Sequence, residues 1–278
     1  MKKFLVACLA TMSLSSFAQS FIIMDNGITI TMDRSGFVYD FGNYAFPQKI
    51  NLKGGTFFVE EGGVLATIDE KGALFRKYEV IPETILGKGL NYFLSDAGEL
   101  YTINRQGLVN ITVNEEFKKA TNFGGNFFGV TTDAEKKNID LYTINLDGKV
   151  AKIEIPNFKA KDIVIFGGSY FMTNRGLVYT ITSEGAALPS YETRVGVIQK
   201  RGGNYFIDSS GMFYTVTEAG VLTMPALPIN LKISAITKFG SNYFIDLSGR
   251  LFVVDKDGNV FERIMRDHDF RNARIISL

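Results

Sequence analysis

The only histidine of the chain, His268, stands between two aspartates, Asp267 and Asp269. An imidazole flanked by carboxylates could hold a metal ion or act as a general base. Zinc, however, normally takes about three or four protein ligands, and the sequence offers no second histidine and a single cysteine, Cys8. Catalysis of the Ser-His-Asp or Cys-His type would also depend on His268, and nothing positions a nucleophile beside it. We interpret residues 266–269 as a solvated loop and predict no catalytic residue, no metal site and no cofactor.

Seven four-residue segments open with Asp, Asn or Thr and close with Gly. The segment 255–258 resembles the start of a calcium loop, but calcium takes about six to eight oxygen ligands, and no segment has more than two carboxylates. In a hairpin turn the first side chain accepts hydrogen bonds from the backbone, and glycine supplies a positive φ. We therefore predict structural turns at 33–36, 69–72, 104–107, 145–148, 182–185, 217–220 and 255–258.

Acidic residues recur at a second place in the pattern. Asp96, Asp208 and Asp246 follow predicted strands, and Glu60 and Asn174 occupy similar positions. These groups could surround an axis and bind a cation or an amine, or each could cap the turn that follows it. Capping is the preferred interpretation because the acidity is incomplete. A pair of axial carboxylates of the glycosidase type stays open as a hypothesis.

An insertion at 131–140 gives one segment about twice the length found at corresponding places. Loops on a rigid scaffold often carry function, although a neutral surface insertion is the simpler alternative. We predict a binding site formed by the polar residues Asp133, Glu135, Lys136, Lys137, Asn138 and Asp140.

The elements that position these residues come from an internal repeat. A pair of aromatic residues recurs six times, and its second members are Phe58, Phe93, Phe128, Phe171, Phe206 and Phe244, at steps of 35, 35, 43, 35 and 38 residues. A looser copy marked by Ile22 begins the series. Apolar and polar residues alternate in short runs bounded by glycine, which predicts strands, and each copy contains four of them.

Seven copies of four short antiparallel strands resemble a seven-bladed β-propeller, and the resemblance covers essentially all of residues 19–278. No specific family is assigned, since the chain has no tryptophan and lacks the Trp-Asp pairs of the WD40 family. The resemblance implies an all-β fold with four antiparallel strands per blade. The first copy lacks its innermost strand and residues 273–278 read as a first strand, so we predict a closing blade shared by the N- and C-termini.

The paired aromatic residues have two interpretations. They could form a ring of platforms on which sugars stack, as in a lectin. Neighbouring residues of a strand point to opposite faces, however, so the two members of a pair cannot line one pocket. We predict that both pack between blades and form the core, which the chain's 24 Phe and 12 Tyr are sufficient to fill.

The N-terminus predicts export. Lys2 and Lys3 precede an apolar run, and Ser16 to Ala18 form a small-x-small cleavage site, so residues 1–18 are predicted to be a signal peptide. A lipoprotein anchored through Cys8 is the alternative. Cleavage would leave 28 basic and 29 acidic residues without a basic run, which argues against nucleic-acid binding, and no later segment predicts a transmembrane helix.

The sequence is compatible with three hypotheses about the function of the protein. The preferred one is a monomeric, non-enzymatic protein-interaction or scaffold module of a bacterial cell envelope, located in the periplasm or outside the cell. The second is a lectin-like module that binds glycan or peptidoglycan, and the third is a hydrolase with the axial carboxylate site described above. A large apolar surface patch would favour the first hypothesis, and an axial pocket with mutually perturbed carboxylates the third.

Overall fold

The computed structural model describes residues 20–41, 49–78, 81–82, 84–133, 138–153, 155, 162–191 and 195–277. These residues form seven four-stranded antiparallel sheets, the blades of a β-propeller. Blade 1 contains β28 (Ala273–Ile276), β1 (Ser20–Met24), β2 (Thr29–Met32) and β3 (Val38–Asp40). The other blades are, in chain order, β4 (Ile50–Lys53), β5 (Phe57–Glu60), β6 (Val64–Ile68) and β7 (Leu74–Tyr78); β8 (Ile85–Lys88), β9 (Tyr92–Ser95), β10 (Glu99–Ile103) and β11 (Val109–Val113); β12 (Ala120–Phe123), β13 (Phe127–Thr131), β14 (Ile139–Ile144) and β15 (Val150–Ile153); β16 (Ile163–Phe166), β17 (Tyr170–Thr173), β18 (Val178–Ile181) and β19 (Ala187–Ser190); β20 (Ile198–Arg201), β21 (Tyr205–Asp208), β22 (Phe213–Val216) and β23 (Leu222–Thr223); and β24 (Ile236–Phe239), β25 (Tyr243–Asp246), β26 (Leu251–Val254) and β27 (Val260–Arg263).

Short 3-10 helices interrupt the loops at Glu115–Lys119, Ile233–Ala235 and Phe270–Asn272. Within the described ranges, no helix is long and apolar enough to cross a membrane. The seven-bladed, all-β architecture predicted from the repeat is therefore confirmed.

The closing blade is also confirmed. β28 pairs with β1 in antiparallel register, with Ile22 opposite Ile276, and so supplies the innermost strand that the first copy of the repeat lacks. The backbone N–H of Ser277 donates to the carbonyl of Phe21, and the backbone N–H of Phe21 donates to Ser277 Oγ, both at 3.0–3.1 Å. This pairing removes the open sheet edge that an unclosed ring would present.

The aromatic pairs form the packing between blades, as predicted. The first member of each pair packs against the second member of the next blade, with ring centroids 4.8–5.7 Å apart in six successive interfaces. Where the first member is tyrosine, its hydroxyl donates to carbonyl oxygens of the next blade, as Tyr92 does to Phe127 at 2.7 Å and Tyr205 does to Tyr243 at 2.6 Å. Tyr170 and Tyr243 repeat this contact. The rings exclude water from each interface, and the hydroxyls link the second strands of neighbouring blades.

The two faces of the ring follow from the antiparallel order of the strands. Turns between second and third strands lie on the same face as the connections between blades, and we call this the loop face. Turns between first and second strands and between third and fourth strands lie on the opposite face, which we call the turn face. The insertion at 131–140 joins β13 to β14 and therefore belongs to the loop face.

The seven predicted turns between third and fourth strands are present, and they interlock. Asp255 Oδ1 accepts the backbone N–H groups of Asp257 and Asn259 at 2.8–2.9 Å, and Gly258 has a φ of 82°. The second residue of each turn also bonds the next blade through its backbone, and six such bonds of 2.7–3.4 Å run from Glu70 around to Arg34. The Arg34 side chain contacts Glu70 of blade 2 at 3.1 Å and Glu218 of blade 6 at 3.3 Å, so it links the closing blade to two other blades of the ring.

The glycine pairs between first and second strands allow a very close approach of neighbouring blades. A Cβ on Gly125 would lie 2.5 Å from the Cα of Gly168, and one on Gly168 would overlap the carbonyl oxygen of Gly203. In the same turns the first glycine packs against an aromatic ring of its own blade, as Gly167 does against Tyr170. Only glycine fits at positions 125, 167 and 168, because a side chain there would overlap the adjacent turn or ring. The second position of this turn is Leu90 in blade 3 and Ser241 in blade 7.

Candidate functional site

A cavity of about 390 Å³ lies on the propeller axis, where the first strands end and the glycine turns begin. Four consecutive blades line it, each with the last residue of its first strand: Lys88, Phe123, Phe166 and Arg201. The turns 89–90, 124–125, 167–168 and 202–203 complete the lining. The volume is within the range of about 300–1,000 Å³ that small-molecule sites occupy.

The polar side chains of this cavity are cationic. Lys88 Nζ donates to the carbonyl oxygen of Lys53, and Arg201 Nη1 donates to that of Phe166, so each cation reaches the inner strand of the preceding blade. Burial lowers the pKa of Lys88, and the charge of Lys53 lowers it further. Burial also lowers the pKa of Lys53. This end of the axis is therefore positively charged, and no lining residue is acidic.

This cavity was not predicted from the sequence, and the aliphatic residues of the first strands do not line it. Ile163, Ile198 and Ile236 are buried in the hydrophobic clusters between blades. The residue after each of them is bulged out of the strand pairing and exposed, as Gln199 is between Ile198 and Lys200. A bulge redirects the side chain, so it is the bulged residue and the last residue of the strand that face the axis. A cation immediately before a glycine turn is the only sequence signal that could have identified the site.

Two of the acidic residues after the second strands, Asp208 and Asp246, are turn caps, as the preferred interpretation predicts. Asp208 Oδ1 accepts the backbone N–H groups of Ser210 and Met212 at 2.9–3.0 Å. Burial alone would raise the pKa of Asp208, but hydrogen bonds from Ser210, Gly196 and Met212 outweigh it and lower that pKa. Asp246 makes the equivalent backbone bonds and also pairs with Arg250 at 2.6 Å.

The assignment of Asp96 and Asn174 to this capping position is wrong by one residue. Ser95 and Thr173 end β9 and β17, and their hydroxyls accept the backbone N–H groups of Glu99 and Leu177 at 3.1–3.2 Å. The strands end one residue earlier than the pattern suggested, which leaves Asp96 exposed in the turn. Fewer blades therefore have an acidic residue at the capping position than the sequence pattern predicts.

The insertion at 131–140 lies partly outside the described residues, because these exclude Glu135, Lys136 and Lys137. Asp133 Oδ2 accepts hydrogen bonds from the backbone N–H and the side-chain amide of Asn138, at 3.1 and 2.8 Å. Asp140 pairs with Lys152 on the adjacent strand at 2.6 Å. The three described residues of the predicted binding site thus contact their own hairpin and its neighbour, and their role in binding stays a prediction.

The interpretation of residues 266–269 as a solvated loop is wrong for the histidine. The side chain of His268 is only 8% exposed; its Nε2 lies 2.8 Å from Asp40 Oδ2, and its ring centroid lies 6.3 Å from that of Phe270. The segment connects blade 7 to the inner strand of blade 1, and on that path it crosses the end of β3, where Asp40 lies. Among the described residues, no three His, Cys, Asp or Glu side chains form a group that could hold a metal ion.

Comparison with known proteins adds little to this geometry. No protein-family model matches the chain, and no curated protein matches it. Solved structures with a related shape include virginiamycin B lyase from Staphylococcus aureus, at 15% identity, a TM-score of 0.33 and coverage of 88% of this chain and 94% of that one. A streptogramin B lyase has 16% identity, a TM-score of 0.34 and coverage of 90% and 92%.

A third structure is PorZ, an essential bacterial surface component of the type-IX secretion system of Porphyromonas gingivalis. It shows 11% identity, a TM-score of 0.31 and coverage of 86% of this chain and 42% of that one. Such low TM-scores carry no functional argument. The fold assignment rests on the seven sheets themselves, and the function must be argued from the residues of this chain.

Proposed function

We propose that the protein is exported and serves as a protein-interaction module of the bacterial cell envelope, with its partner bound on the loop face of blades 6 and 7. The observation that carries this proposal is a group of exposed apolar side chains on that face. Ile229 is fully exposed, Leu247 is 70% exposed and Ile264 is 80% exposed. Val197, Met212 and Met224 are exposed on the same face of the same two blades.

The position of Leu247 shows that this apolar character does not come from the repeat. Leu247 is the first residue of the turn between second and third strands of blade 7. The same place is polar in the other blades with a turn of this length, which have Asp25, Glu61, Asp96, Asn174 and Ser209. An exposed leucine adds nothing to the core, and apolar groups on a loop face are typical of protein-binding surfaces.

Backbone and side-chain contacts hold these residues on one framework. The backbone N–H of Leu247 donates to the carbonyl of Ala235 at 2.8 Å, so its turn is attached to the connection that precedes β24. Arg250 Nη2 donates to the carbonyl of Asn230 at 2.9 Å, which attaches the residue after Ile229 to blade 7. The apolar side chains are therefore presented by connected segments of adjacent blades. The predicted site in the insertion, from Asp133 to Asp140, belongs to the same face and is retained as part of the proposal.

The test is capture of envelope proteins on an immobilised chain comprising residues 19–278. Substitution of Ile229, Leu247 and Ile264 by serine should abolish capture of a protein that the unaltered chain retains. The matched control carries the same three changes on the outer strand of blade 3 and beside it, at Leu108, Ile111 and Val113, which are also exposed. Equal capture by both variants would contradict the proposal. Capture that survives protease treatment of the extract would instead indicate a glycan ligand.

A further inference from the structure

The axial cavity contains cations that the fold does not require. The last residue of the first strand is Phe123 in blade 4, Phe166 in blade 5 and Phe239 in blade 7, and these rings are half-buried against neighbouring blades. Phe166 stacks on Phe127 with a centroid distance of 6.1 Å. The same strand position therefore accepts an apolar side chain, and a cation there needs an explanation other than packing.

Blades 3 and 6 have Lys88 and Arg201 at this position, and Lys53 of blade 2 follows the same pattern. An ammonium group carries three donors and a guanidinium group five, whereas Lys88 and Arg201 each donate to a single backbone carbonyl. In the part of the chain that the structure describes, neither forms an ion pair with a carboxylate. Lys88 is half-buried, and a half-buried cation without a counter-charge is costly, so an anion from solution would offset that cost. Arg201 is exposed, so its remaining donors are accessible to such an anion.

The two phenylalanines restrict the shape of such an anion. Phe123 packs over Gly87, which has no side chain to displace it, and Phe166 is held by Phe127, so both rings are fixed in the cavity lining. The cavity thus presents cationic donors from blades 3 and 6 and aromatic surface from the two blades between them. Flat apolar groups pack well on fixed aromatic rings, and oxyanions pair strongly with guanidinium and ammonium donors.

We infer that this cavity is a binding site for a small molecule with an anionic oxygen group, a carboxylate or a phosphate, attached to an aromatic or flat apolar part. Lys88 and Arg201 bind the oxygen group, and Phe123 and Phe166 contact the apolar part. The site lies at the turn-face end of the axis and is separate from the apolar side chains of the loop face.

Isothermal titration calorimetry on residues 19–278 tests this assignment with four probes: phenyl phosphate, benzoate, inorganic phosphate and neutral benzyl alcohol. We expect phenyl phosphate or benzoate to bind with one-to-one stoichiometry, and the tighter of the two identifies the anionic group. Lys88→Met and Arg201→Met should each weaken that binding by about tenfold, because each removes charge-assisted hydrogen bonds. Lys88→Arg, which retains the charge, should preserve most of it.

The control is Lys71→Met, which removes one charge from an exposed turn on the same face. Its affinity should equal that of the unaltered protein, and the melting temperature of every variant establishes that it is folded. Failure of both aromatic anions to bind at millimolar concentration would overturn the inference. So would an equal effect of Lys71→Met and Lys88→Met, or binding of benzyl alcohol as tight as that of the anions.

Discussion

Raising the pH should unfold this protein through its four fully buried tyrosines, Tyr92, Tyr170, Tyr205 and Tyr243. Burial raises the pKa of each phenol well above its usual value, so the folded state keeps them neutral. The unfolded chain ionises them near pH 10. Because the folded pKa lies above the unfolded one, their contribution to stability is complete below about pH 10 and is lost as the pH rises further.

The size of the loss follows from the number of phenols. At pH 11 each unfolded tyrosine with a pKa of about 10 gains about 1.4 kcal/mol from ionisation, so four give about 6 kcal/mol. Domains of ordinary stability have about 5–15 kcal/mol in total. Lys53 and Lys88 have the opposite effect on stability. Because their pKa values are lower in the folded protein than in the unfolded chain, raising the pH stabilises the fold until about pH 10.5, where the unfolded lysines also lose their charge. Above that pH the tyrosines dominate.

The assay is urea unfolding followed by far-UV circular dichroism between pH 8 and pH 11, with absorbance at 295 nm to count tyrosinates. Tyr205→Phe should cost about 1 kcal/mol at pH 8 through its lost hydrogen bonds and should reduce the pH dependence above pH 10 by about a quarter. Phenylalanine fits there, since blades 2 and 4 have Phe57 and Phe127 at that place. Tyr191→Phe, at an exposed residue, is the control. The reasoning fails if the folded protein ionises all its tyrosines at pH 11, or if Tyr205→Phe leaves the pH dependence unchanged.

Three further predictions concern the ring and its export. Arg34→Ala should lower the free energy of unfolding by about 3 kcal/mol, because it removes two ion pairs of a largely buried guanidinium. Arg105→Ala, at the same turn position in a more exposed ion pair, should cost about 1 kcal/mol or less by urea titration, and similar costs for the two variants would contradict the role of Arg34 in linking the blades. Gly168→Ala should cost about 3 kcal/mol through overlap with the next blade, and Gly62→Ala, where a Cβ meets open space, should cost little by the same measurement. N-terminal sequencing of the protein recovered from the periplasm or medium should begin at Gln19, and an uncleaved or lipidated N-terminus would refute the predicted processing.

The sequence predicted the fold well because the repeat reports on packing that is the same in every blade. Phe93 and Phe206 recur because each fills an identical interface, and Gly258 recurs because each turn needs a positive φ. The boundaries of single strands were less certain. Ser95 can cap a turn as an aspartate does, so the choice of Asp96 followed the charge and missed the strand end.

The candidate site was less predictable because it depends on differences between blades. Lys88 and Arg201 are separated by 113 positions in the chain, and they face one cavity only after the ring has closed. The contact between His268 and Asp40 spans 228 positions and likewise forms only when the ring closes. A local pattern cannot indicate which surface such residues share, because that depends on the order of blades around the axis.

The pairing of β1 with β28 also determines how the molecule responds to tension. Phe21 and Ser277 are bonded to each other at one end of this ladder, so a force that pulls these two residues apart loads its hydrogen bonds one after another. Such unzipping needs less force than shearing, in which all bonds share the load. In blades 2 to 7 the inner strand is joined to the rest of its sheet by a covalent turn, because each of these blades is one continuous stretch of chain. In blade 1 the inner strand β28 is held to the sheet only by hydrogen bonds and packing. We therefore expect blade 1 to be the mechanical weak point and to open while the remaining six blades stay intact.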